Sequence, residues 1–155
     1  MGHYVTGIIT VSSVAEQLYR DKKLASAALR DGMRLVPLED EDLDLIATFD
    51  GPPTHGFTHL SKDLIHTLSE LSMSGRLVYF ETEYFGGMGS QSAVAFEGGS
   101  IIPTTLQSGD GVINKALRAI GVVSNSEVDE FDYIGLSLHR NTSDWKEVAA
   151  LANKE

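Results

Sequence analysis

The chain has 155 residues, 42% hydrophobic and 22% charged, and a formal net charge of −10. That length buries a core without covalent staples, so one domain spanning 1–155 is expected. The absence of cysteine excludes a disulfide framework, thiolate zinc and a cysteine nucleophile. Residues 1–75 and 76–155 each carry 6 basic against 11 acidic residues, so no basic arm exists to meet nucleic acid or anionic lipid.

Tyr4–Val11 is rich in Val, Ile and Thr with apolar residues on both faces, which predicts a central strand. Its apolar run is broken at Thr6-Gly7 and lacks a basic flank, so no signal peptide is expected. No stretch reaches transmembrane length. Ser13 to Glu16 fit a capping box opening a helix to about Lys23. Leu24–Arg30 either extends that helix or starts another, and Asp31-Gly32 stops it. Met33–Leu38 is a short strand that Pro37 places at an edge or at its own end. Glu39–Ala47 is a helix with an acidic first turn, which suits the positive end of the helix dipole.

Asp50–Pro53 forms a loop. His55 and His59 stand at i, i+4, a metal spacing only on a helix, and Gly56 with Pro52-Pro53 opposes helix there. Ser61 caps the next helix, whose stripe is Leu64, Ile65, Leu68 and Leu71, and Gly75 ends it in a left-handed turn. Arg76–Phe85 and Gln91–Phe96 read as a hairpin around Gly86, Gly87, Met88 and Gly89. A second turn, Glu97 to Gly99, leads to Ser100–Pro103. Gly111–Gly121 is a helix with Val112, Ile113, Ala116, Leu117 and Ile120 inward. Asp129–Leu138 suits a short helix or an extended segment, and Thr142 or Ser143 caps a last helix to about Ala152. The order predicts an α+β fold: a mixed or mostly antiparallel sheet with a central hairpin at about 76–96 and helices packed mainly on one face.

Chemistry-bearing patterns are few. Glu81 and Glu83 share one strand face, which suits a carboxylate pair or, more simply, a polar face produced by alternation. The Gly86–Ser90 cluster lacks the Lys-Ser/Thr of a phosphate loop and joins strand to strand, so it reads as a turn. Ser90, Ser92, His139, Asp129 and Asp132 supply the residue types of a triad, but no G-x-S-x-G elbow is present. No catalytic residue, metal site or cofactor is assigned.

The segments YFETEYFGGMGSQSAVAF, GVINKALRAIGV, DEFDYIGL and LHRNTSDW, with a weaker echo in YVTGII and LVPLEDEDLD, resemble a family of small bacterial proteins of unassigned activity. The resemblance implies a bacterial cytoplasmic protein and brings no site residues.

The expected function is a non-enzymatic acidic module that binds a basic protein partner, of immunity or antitoxin type by analogy of class. Its expected contact residues are Tyr79, Glu81, Glu83, Tyr84, Gly86, Gly87, Gly89 and Gln91. One alternative is a metal-assisted hydrolase or small-ligand-binding enzyme built on the Glu81/Glu83 pair, with His139 or Asp129 arriving from afar. Another is a structural protein whose free β edge pairs with a second copy.

Overall fold

The structure, a computed structural model, describes residues 2–47, 53, 56–85, 88–125 and 127–152. Its strands are β1 (Thr6–Thr10), β2 (Ala27–Ala28), β3 (Arg34–Pro37), β4 (Leu77–Phe85), β5 (Met88–Glu97), β6 (Ser100–Ile101) and β7 (Gln107–Ser108). They form one sheet in the order β2-β3-β1-β4-β5-β6, with β7 also on β5, and every pairing is antiparallel. β1 lies between β3 and β4 with all five residues buried, as its two apolar faces predict. β4 and β5 are the expected hairpin, paired from Leu77↔Phe96 out to Phe85↔Met88.

Helices α1 (Ser12–Lys22), α2 (Asp40–Ile46) and α3 (Lys62–Leu71) cover one face of this sheet. Helices α4 (Val112–Ala119), α5 (Glu130–Ile134) and α6 (Thr142–Ala152) cover the other. The α+β class and the mostly antiparallel sheet are therefore as expected, but the helices are not confined to one face. The reason is visible in β4. Leu77 and Tyr79 enter one core while Val78 and Phe80 enter the other, and all four are fully buried. A strand with four consecutive apolar residues has no face left for water. On β5, Val94 and Phe96 fill the first core, and the small Ala93 and Ala95 let α4 approach on the second. Each large side chain so buried contributes about 1.5–3 kcal/mol.

Local differences have local causes. Ser13 is not an N-cap: Val11 precedes α1, and the Ser13 hydroxyl donates to the Ser74 carbonyl at 2.8 Å. Residues 24–30 do not continue the helix. Lys23 turns left-handed (φ 59°), and Ala27–Ala28 join the sheet edge. Gly75 does not end α3: the helix stops at Leu71 with Ser72 as its C-cap, and Gly75 has no positive φ but a close approach, since a Cβ there would meet Val11 Cγ2 at 2.5 Å. Asp129 accepts from the Asp132 amide and opens α5, which settles 129–138 as helix followed by a 3-10 turn. Asn141, not Thr142 or Ser143, accepts from the Asp144 amide at the start of α6. Of the expected loop at 50–53 only Pro53 is described, and His55 lies outside the described residues.

The sheet's edges are short. β2 has two residues, and the outer side of β5 is closed by β6, β7 and the Thr105 hydroxyl, which accepts from the Ala95 amide. Among the described residues, no strand lies beside the outer edge at Met88–Ser90. No described helix is long and apolar enough to cross a membrane.

Candidate functional site at the hairpin end

The carboxylate pair lies on β4, on the face covered by α1–α3. Alternation places Tyr79, Glu81, Glu83 and Phe85 on that side. Glu81 is buried, with 4% of its surface exposed. Its Oε1 accepts from the Thr58 amide at 2.6 Å, and its Oε2 accepts from the His59 amide at 2.9 Å and the Tyr79 hydroxyl at 2.7 Å. Three donors on one carboxylate satisfy a buried charge that would otherwise be very unfavourable. The Phe57 ring stacks on Tyr79 with centroids 6.0 Å apart. Glu83 adds a bond from the Thr58 hydroxyl at 2.7 Å. The pair therefore clamps the segment that leads into α3. Burial first, and then the charge and hydrogen bond of Glu81, hold the Tyr79 hydroxyl well above its ordinary pKa, so it stays a proton donor.

This arrangement corrects part of the expected contact surface. Tyr79 is fully buried and Glu81 nearly so, because the 57–59 segment lies over them. Glu83 and Tyr84 are half-buried and Gly89 is exposed. Gly89 belongs to β5 and not to a turn, and a Cβ there would run into the Glu83 carbonyl oxygen. Gln91 is half-buried and joins two elements: its Oε1 accepts from the Ile113 amide at the start of α4, and its Nε2 donates to the Tyr84 hydroxyl. Gly86 and Gly87 lie outside the described residues.

The other chemistry-bearing residues serve the fold. Asp129 caps α5, His139 meets Trp145 edge-on at 4.7 Å, and Ser92 shares a 2.7 Å hydrogen bond with Ser108. His59 Nε2 lies 4.0 Å from Asp40 Oδ1. Among the described residues no three His, Asp or Glu side chains converge on a point that would hold a metal ion.

His3 pairs with Tyr84 in continuation of the β1–β4 register, so Tyr4 falls beside Glu83 and diagonal to Phe85. The Tyr4 and Phe85 rings lie 5.8 Å apart, and Met88 faces Phe85 across the last rung. These three side chains are 42%, 64% and 79% exposed. Tyr4 also walls an open groove of about 300 Å³ shared with Glu39, Asp40, Glu41, Asn141 and Ser143. Partial burial, then the charges of Glu83, Asp40 and Glu81, push the Tyr4 hydroxyl above its ordinary pKa. Lys146 flanks the acidic wall. Burial works against its charge, but the hydrogen bond from Nζ to Asp42 at 2.7 Å and the charges of Asp42, Glu39 and Glu41 raise its pKa overall. The end of the hairpin thus offers an apolar patch beside carboxylates. Tyr4 and Met88 escaped the sequence reading. The signal for Met88 was an apolar residue set among glycines, where no core could use it.

Comparison with protein-family models, with curated proteins and with solved structures finds no match to this chain.

Proposed function

We propose that this protein is a non-enzymatic binding module of the bacterial cytoplasm, of immunity or antitoxin type, that engages a basic protein through the end of its β4–β5 hairpin. The observation that carries this reading is the exposed cluster of Tyr4, Phe85 and Met88 beside Glu83, Asp40 and Glu41. Aromatic and methionine side chains supply the apolar centre of protein interfaces, and surrounding charges steer and orient the partner. A chain of net charge −10 attracts a basic partner at long range. The surface runs over Tyr4, Glu83, Phe85 and Met88, outward of the buried Tyr79 and Glu81, while the Tyr84 side chain lies on the opposite face of the strand with Gln91. The saturation of Glu81 by three donors favours this reading over a metal-assisted hydrolase. The bacterial setting rests on the sequence resemblance, and the immunity or antitoxin type on size and acidity.

The test is capture from a native bacterial lysate on immobilised protein, run beside a Phe85→Ser, Met88→Ser double variant of unchanged melting temperature. One basic protein, bound stoichiometrically and released by salt, is expected on the native protein and absent from the variant. Recovery of no stoichiometric partner, or equal recovery on the variant, contradicts the proposal.

A further inference from the structure

We infer a second binding site, a cleft of about 120 Å³ between Arg30 and Arg76 that takes a small aliphatic carboxylate. It lies at the Leu77 end of β4, away from Phe85, and does not depend on the proposed protein contact.

The charges point to an anion. Two arginines line this one cleft. Arg118 and Lys146 have carboxylate partners at 2.8 and 2.7 Å. Among the described residues neither Arg30 nor Arg76 makes an ion pair, yet both line this cleft. Asp31 lines it too, with its carboxylate engaged by the Tyr133 hydroxyl at 2.7 Å. Two arginines and one aspartate therefore line the cleft.

The Arg30 guanidinium is positioned. Arg30 lies over the Tyr133 ring at 4.8 Å, and Tyr133 is fixed in turn by Asp31. Asp31 holds a left-handed conformation (φ 60°) that few non-glycine residues adopt, which turns the chain at the cleft mouth. Arg76 Nη1 lies near Gly121, just beyond α4, where an added Cβ would meet it at 3.5 Å.

The floor points to an aliphatic tail. Met33, Ile120, Val122 and Ile134 belong to the core beneath and are buried. A planar guanidinium matches a carboxylate with two parallel hydrogen bonds, and the apolar floor favours a short branched chain over bare phosphate. The cleft is too small for a nucleotide, whose pockets run to about 300 Å³ and more. The same chemistry is carried by a free branched-chain acid and by the C-terminal aliphatic residue of a peptide.

The experiment is a two-dimensional amide NMR titration of the intact protein with isovalerate, N-acetyl-leucine, neutral isovaleramide and inorganic phosphate at constant ionic strength. Isovalerate or N-acetyl-leucine is expected to shift the Gly121 and Val122 amides saturably, and the amide and phosphate to do so much less. Tighter binding of isovalerate assigns the site to free acids, and tighter binding of N-acetyl-leucine to a chain terminus. Arg76→Met and Arg30→Met, each checked for a native spectrum, are expected to weaken binding about tenfold. The inference is overturned by no saturable shift with either acid, by an equal response to phosphate or isovaleramide, or by unchanged affinity in a folded arginine variant.

Discussion

Tyr79 and Glu81 stand two residues apart on one strand, and the Tyr79 hydroxyl donates to Glu81 Oε2 at 2.7 Å inside the core. With the Thr58 and His59 amides on the same carboxylate, this bond makes Glu81 the fastening point of the chain that enters α3. Glu81→Gln replaces one acceptor oxygen with a donor and sets it against an amide or hydroxyl proton. The expected loss is about 2–4 kcal/mol, with faster exchange of the Thr58 and His59 amides. Tyr79→Phe removes one bond and should lose about 1–2 kcal/mol. Urea unfolding measures both, and a Glu81→Gln loss within about 0.5 kcal/mol of zero is the contrary result.

His3 makes stability depend on pH. Its Nε2 lies 3.1 Å from the Leu136 carbonyl, which only accepts, so the neutral ring carries its proton there. Nδ1 then accepts from the Thr82 hydroxyl at 2.7 Å. Burial, aided by the charge of Arg140 and opposed by the Leu136 carbonyl, holds the His3 pKa below its ordinary 6.5. The unfolded chain therefore binds the proton more readily than the folded one. The contribution is complete above pH 6.5 and is lost as pH falls through the lowered folded value. Urea unfolding at pH 7 and pH 5 should show a smaller stability loss in His3→Gln than in the native chain. Equal losses in the two proteins count against it.

Gly75 is required by contact. An alanine Cβ would lie 2.5 Å from Val11 Cγ2 and 3.0 Å from Ser13 Oγ, so the joint between α1 and β4 must open. Gly75→Ala should lose about 1–3 kcal/mol, read from the urea midpoint. A neutral result would mean that the start of α1 shifts freely.

Two serines that look alike as helix caps should behave differently. Ser61 Oγ accepts from the Leu64 amide at 3.1 Å, and Ser61→Ala should lose about 1 kcal/mol. Ser13 donates to the Ser74 carbonyl on the surface, and Ser13→Ala should lose about 0.5 kcal/mol or less. Equal losses would argue that Ser13 caps α1 after all.

The contrast between those serines shows what was legible. The Ser61 cap, the Leu64, Leu68 and Leu71 stripe and the inward face of α4 follow from local spacing, and all appear in the structure. The hairpin also follows from spacing. The second helical layer was signalled by the unbroken apolar runs at 77–80 and 93–96, which alternation alone reads as single-faced strands. The site was less legible. Glu81 looks identical to Glu83 in the sequence, and its burial depends on amides 22 and 23 residues away. Tyr4 joins Phe85 only through strand register, which no local pattern specifies.

The most direct test of the hairpin end as the contact surface is amide hydrogen exchange, measured with the protein free and bound to its captured basic partner. Slower exchange is predicted at Tyr4, Tyr84, Phe85 and Met88–Gln91, with Thr58 and His59 unchanged. Protection at Thr58 and His59 with no change at the hairpin end would contradict it.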